Sequence, residues 1–230
     1  MNKGTCRSRN GGSWVNRVYR ALRIQHGPQA WWPAEGRFEI MVGAILTQNT
    51  AWSNVEKAIA NLKAAGMLDA GAILQAPDDE LAQLIRPSGY FRIKARRLRK
   101  FCEWYTGLRE YRNLRYWPTA RLRHALLGVY GVGPETADDI LLYAFNRPVF
   151  VIDAYTRRIF ARLGLIGGAE PYDEIRAEFE RKLGRQPGRM GEYHALIVQH
   201  GKLVCRPEPR CGACDLRAMC RFYKARRHSR

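Results

Sequence analysis

The chain has 230 residues, enough for one large domain or two small ones with real cores. Its hydrophobic content of 46% argues against general disorder, and no apolar run approaches the roughly 20 residues of a membrane helix. The formal net charge of +18, from 39 Lys plus Arg against 21 Asp plus Glu, points to a polyanionic partner, nucleic acid above all, with a merely solvated basic surface as the alternative. Met1 to Asn16 is polar and basic and lacks the apolar core of a secretory signal, so the default compartment is cytoplasmic.

Met1 to Ser13 is rich in Arg, Gly, Asn and Ser and reads as a flexible basic tail. Trp14, Val15, Val18, Tyr19, Leu22 and Ile24 recur at helical spacing, and His26-Gly27-Pro28 stops that helix. Trp31-Trp32-Pro33 follows in an irregular segment, either as a packing plug or as a base-contacting pair. Phe38 to Leu46 is apolar enough for a buried helix, which Thr47-Gln48-Asn49-Thr50 interrupts. Ser53 with Glu56 three residues on forms a capping-box pattern for a helix through Leu62. The amides of Gln48 and Asn49 are turn residues or, in a DNA-binding protein, of the right size to enter the gap left by an extruded base.

Pro77-Asp78-Asp79-Glu80 begins another helix, with acids in its first turn as the dipole prefers. A heavily basic helix follows from Gly89, with Ile93, Leu98, Phe101 and Trp104 as its expected apolar face. Its charges are a wet face and a plausible phosphate contact at once. Pro118-Thr119 precedes a short helix, Arg121 to Leu127.

Then comes Gly131-Val132-Gly133-Pro134, a glycine-bracketed turn opening a helix. The glycines permit positive φ and close backbone approach, and Pro134 suits a first helical position. Exposed N–H groups at such a start form a seat for phosphate. An apolar run then leads to Asp153, after which AYTRRIFARLGL is amphipathic and ends at Gly164 or Gly167-Gly168. Helices over Pro171–Leu183 and Tyr193–His200 complete an all-α reading, without internal repeats or alternating strand patterns.

Cys205, Cys211, Cys214 and Cys220 follow a C-x5-C-x2-C-x5-C spacing. Four soft thiols in one loop demand a metal centre. A disulfide framework does not suit a cytoplasmic chain. Zinc folds more often carry two C-x2-C pairs, so the single pair favours a [4Fe-4S] cluster, with zinc as the alternative. Cys6 and Cys102 read as ordinary free thiols.

Hairpin, acid and cysteine loop together resemble the helix-hairpin-helix DNA glycosylase superfamily, specifically its endonuclease III branch. The motifs that carry the resemblance are GVGPETA at 131–137, VID at 151–153 and HGKLVC…CGAC…C at 200–220. The resemblance implies two helical domains with a DNA site in the cleft between them. A six-helix barrel would span 37–147, and a second domain would combine 14–36 with 148–225 and end in the cluster loop. It implies DNA contacts from Gly131, Val132, Gly133 and Thr136 of the hairpin, and gap filling near Gln48 or Asn49. It makes Asp153 the acid of base removal, stabilising an oxocarbenium-like sugar or positioning water. Asp153 also suits N-capping of the helix from Ala154, and the two roles are compatible.

The departure from the branch is Glu135, where bifunctional members carry a lysine that forms a Schiff base. A carboxylate cannot, so the expectation is a monofunctional glycosylase using water. WWP at 31–33, LTQNTAW at 46–52 and the hairpin with Glu135 further resemble the 3-methyladenine glycosylase branch. This implies a pocket built from Trp31, Trp32 and Trp52, with the Trp52 indole as platform for a cationic alkylated purine. The best-matched members of that branch lack the iron–sulfur loop retained here. The alternatives are a uracil, mismatch or oxidised-base glycosylase and a non-catalytic binder of abasic or damaged DNA. The expected partner is double-stranded DNA with a damaged base, bound by a monomer in the cytoplasm, at the nucleoid if the source is prokaryotic.

Overall fold

Helices account for all the regular structure in a computed structural model of the protein, which describes residues 13–228. The tail expected at 1–13 and the thiol of Cys6 therefore fall, Ser13 apart, outside the described residues. No described helix is long and apolar enough to cross a membrane. The described residues divide into two units: 13–31 together with 152–228, and 32–151.

In the first unit, α1 (Trp14–His26) buries Val15, Val18 and Leu22 and stops at Gly27, whose φ of 70° a side chain would resist. α10 (Ala154–Leu163) ends on Gly164 in the left-handed region, and α11 (Tyr172–Leu183) starts with Asp173 and Glu174 and finishes with Arg181 and Lys182, both matched to the helix dipole. α12 (Pro187–Leu203) is longer than the expected Tyr193–His200, because Pro187 opens it at N1 before the apolar pattern begins. α13 (Arg221–His228) follows the cysteine loop. Aromatic edges knit the core. Phe160 and Phe179 meet at 4.8 Å, and Trp14 packs on both at 5.4 and 5.3 Å. Buried Tyr193 donates its hydroxyl to the Val15 carbonyl at 3.1 Å.

The second unit begins with α2 (Arg37–Leu46), whose residues from Met41 to Leu46 are all buried, so it forms the axis of that core. α3 (Trp52–Ala64) starts one residue before Ser53, and the expected capping box does not form. Ser53 already lies inside the helix, and Glu56 accepts instead from the Trp52 indole at 2.7 Å. α4 (Ala70–Gln75) is capped by Asp69, which accepts from the Ala72 N–H at 3.1 Å. α5 (Asp78–Leu84) carries its three acids in the first turn.

α6 (Phe91–Gly107) corrects the expected apolar face. Leu98 and Phe101 are buried, but Ile93 is 49% exposed and Lys94 is 1% exposed. The stripe runs through Lys94, Ala95, Leu98, Phe101, Cys102 and Tyr105 because the Lys94 amine has carbonyl partners waiting inside. It donates to Leu46 at 2.8 Å and to Ser88 at 2.7 Å. α7 (Glu110–Leu114) and α8 (Thr119–Leu127) lead into the hairpin, and α9 (Pro134–Asp139) leaves it. α9 continues as a π-helical turn over Ile140–Ala144, in which the Phe145 N–H reaches the Ile140 carbonyl at 3.2 Å.

Candidate functional site

The hairpin closes through the Val132 N–H, which donates to the Val129 carbonyl at 3.0 Å. Gly131 has φ 82°, and a Cβ there would stand 2.4 Å from Cγ of Arg97. Glycine is thus required twice, for the left-handed turn and for the arginine stem laid across it. Gly133 is extended at the N-cap of α9, and Pro134 occupies the first turn. Arg123 and fully buried Asp138 pin α8 to α9 by a bidentate pair, Nε to Oδ1 at 2.7 Å and Nη2 to Oδ2 at 3.2 Å.

Gln48 is tied into this hairpin. Its Nε2 donates to the Gly131 carbonyl at 3.0 Å and to the Thr136 hydroxyl at 2.9 Å, while Arg97 donates to its Oε1. Both ends of the amide are therefore engaged. Asn49, its neighbour, is exposed with φ 53°. Glu135 is exposed in the first turn of α9, whereas Val132 and Thr136 are buried.

Trp32 meets Trp52 edge to face at 4.9 Å and 89°, and Tyr143 of the π turn at 5.2 Å. Gly43 admits this packing, since a Cβ there would lie 3.1 Å from Cζ2 of Trp32. Trp31 and Trp32 fall on opposite sides of the division between the units, and each is half-buried.

Asp153 caps α10. Its Oδ1 accepts from the Thr156 N–H at 2.6 Å, and its Oδ2 lies 3.6 Å from Nε2 of buried His194. Burial by itself raises the carboxyl's pKa, but His194 and Thr156 outweigh it and hold the group below its ordinary value. The side chain thus remains an anion while 8% exposed.

The four clustered cysteines line one pocket with Arg162, Val204 and Phe222. Arg162 donates to Cys205 Sγ at 3.4 Å and to the Arg206 carbonyl at 2.6 Å, and the Cys220 thiol lies 3.3 Å from the Arg162 carbonyl. His200 Nε2 lies 3.5 Å from Cys214 Sγ. Partial burial pushes the Cys214 thiol up to about 11, so a thiolate there calls for a cation to offset its charge. Among the described residues, no group of three His, Cys, Asp or Glu side chains is arranged to hold a single metal ion. Cys102 lies elsewhere, buried, its thiol pushed up to about 12 by its surroundings.

The sequence reading gave Arg97, Arg123, His194, His26 and His200 no place among the site residues. Of these only His200 carries a local signal, being the first residue of the HGKLVC run. The others act through partners distant in sequence.

Hairpin, capped acid and thiol pocket lie on an all-helical fold, and comparison with known proteins gives its family. The chain matches the model of the HhH-GPD superfamily of base excision DNA repair proteins over residues 42–185, and it belongs to that superfamily. It is 47% identical to a candidate DNA repair glycosylase of Methanocaldococcus jannaschii over 90% of this chain and 95% of that one. Endonuclease III of Thermotoga maritima is 30% identical over 82% of this chain and 84% of its own. Among solved structures, the H. pylori 3-methyladenine DNA glycosylase MagIII, bound to 1,N6-ethenoadenine, aligns with a TM-score of 0.73 at 29% identity, over 82% of this chain and 97% of that one. A non-covalent endonuclease III–DNA complex aligns with a TM-score of 0.80 at 22% identity, over 95% and 99%, and shares the fold.

Proposed function

We propose that this member of the superfamily, a DNA N-glycosylase of base excision repair, hydrolyses the N-glycosidic bond of alkylated purines with water and without lyase chemistry. The observation that carries the monofunctional reading is Glu135, exposed immediately after the hairpin where bifunctional relatives of the resembled branch carry a nucleophilic lysine. A carboxylate forms no imine. Lys94 offers no substitute. Burial lowers its amine to about 8, reactive enough in principle, but the group is enclosed and donates to two carbonyls.

Asp153 then supplies the charge. A carboxylate held ionised at the start of α10 stabilises positive charge developing on the sugar, or orients the attacking water. The glycine turn presents backbone N–H groups to a phosphate, positioning the duplex without reading its sequence. Trp32, Trp52 and Tyr143 provide aromatic faces and edges suited to a flipped cationic base, and the likeness to MagIII supports an alkylated purine. Gln48 would leave its hairpin bonds to fill the vacated stack, with Asn49 beside it.

For the thiol pocket we read a [4Fe-4S] cluster. Cys205, Cys211, Cys214 and Cys220 would hold it, and their single C-x2-C pair suits a cluster better than zinc, whose folds more often carry two. Bound there, it would lock the loop between α12 and α13. The partner is a damaged duplex, bound by a monomer.

The test incubates the purified protein with duplexes carrying 3-methyladenine, 7-methylguanine, uracil, thymine glycol or an abasic site, resolving products with and without alkali. The expected result is release of the methylated purines, with strand breaks only after alkali and no borohydride-trapped adduct. A trapped adduct refutes the monofunctional reading. Release of uracil or thymine glycol alone refutes the alkylpurine reading.

A further inference from the structure

We infer that His200 is the hydrogen-bond donor that tunes the cluster through Cys214, and that His26 sets the tautomer that lets it do so. The inference rests on the cluster reading of the thiol pocket.

His200 is 1% exposed on α12, with its two ring nitrogens differently engaged. Nε2 stands 3.5 Å from Cys214 Sγ, and Nδ1 stands 3.0 Å from Nε2 of His26 on α1, the rings crossing at 71°. A neutral imidazole has one N–H and one lone pair, whereas a metal-bound thiolate can only accept. Donation to Cys214 therefore requires the proton on Nε2 of His200. Its Nδ1 is left as an acceptor, and Nε2–H of His26 must supply the bond. The order of protons along His26, His200 and Cys214 follows from the last acceptor in the series.

The same corner is held a second way. Gln25, the residue before His26, donates to the Ala213 carbonyl at 2.5 Å and accepts from the Asp215 N–H at 3.2 Å, so it grips the backbone on both sides of Cys214. The His200 carbonyl also accepts from the Cys205 N–H at 2.8 Å. One histidine thus touches two of the four ligand residues, and the end of α1 locks it in place. An N–H directed at a ligand sulfur stabilises the more negative, one-electron-reduced cluster and raises its potential. None of these residues takes part in base removal in the reading above, so the effect is read on the cluster itself.

The experiment compares full-length wild type with His200→Leu, His200→Gln and His26→Phe. Iron and acid-labile sulfide are counted first, and the reduction potential is then measured by mediated titration. His200→Leu should retain the cluster at a lower potential. His200→Gln, whose amide nitrogen replaces Nε2 as donor, should return most of the way to wild type. His26→Phe should shift in the same downward direction, but less. Unchanged potentials in His200→Leu and His26→Phe at full iron and sulfide content overturn the proposal, as does a fall in His200→Gln as large as that in His200→Leu. If His200→Leu fails to hold the cluster, the potential of His26→Phe decides alone. A wild-type protein holding zinc and no labile sulfide sinks the cluster reading itself. That outcome is visible in the metal analysis before any potential is taken, and the tuning role falls with it.

Discussion

Replacing Gly131 by Ala should destabilise the protein in two separable ways. The left-handed φ of 82° costs a residue with a Cβ about 1–2 kcal/mol. The new methyl would also stand 2.4 Å from Cγ and 2.6 Å from Cδ of Arg97, which a stem lying on the turn cannot tolerate. Arg97 must swing away and lose its hydrogen bond to Gln48 Oε1, a charge-assisted contact worth about 1.5–3 kcal/mol. The expected loss is therefore about 2.5–5 kcal/mol. With Arg97 already replaced by Ala, the second part has nothing left to remove, and Gly131→Ala should cost only about 1–2 kcal/mol. Urea unfolding followed by tryptophan fluorescence, on wild type, both single variants and the double variant, gives the interaction directly. An interaction below about 0.5 kcal/mol would show that the arginine stem does not depend on the missing side chain.

Asp153→Asn preserves an oxygen for the Thr156 N–H, and Asn caps as well as Asp, so the variant should stay folded, losing only the stability the carboxylate gains from His194. Base release should nevertheless fall about 100-fold or more while DNA binding persists, and release within tenfold of wild type in single turnover would remove Asp153 from the chemistry. Lys94→Met reports on the buried amine through pH. The folded amine loses its proton near pH 8 and the unfolded one near 10.5, so between these values the unfolded chain binds more protons and wild-type stability rises with pH. The relief amounts to about 3 kcal/mol at most, fully withheld below pH 8, and the variant lacks it. The wild-type-minus-variant difference in unfolding free energy should therefore grow from pH 7 to 10. A flat difference would mean that the two carbonyls hold the amine charged throughout.

The chain's sequence by itself determined what is local. Helix starts and stops follow from Gly27, Gly164 and the acids at 78–80, because capping and φ preferences act within a turn of the residue that carries them. The glycine turn and the four cysteines were legible for the same reason, their spacing being written along the chain. Tertiary structure decided which polar groups are enclosed and what they face. A lysine in a basic helix reads as solvated, yet Lys94 is buried because carbonyls at Leu46 and Ser88, distant in sequence or freed by a turn, complete its hydrogen bonds. Gln48 finds the hairpin 83 residues away, and His26 finds His200 across 174. Glu135 lies between these cases. Its identity, read from the chain alone, removed the lysine, but only the fold showed that the buried amine of Lys94 is already committed elsewhere. Long-range hydrogen bonds leave no periodic trace in a sequence, since each partner looks like any other polar residue until the backbone brings the two together.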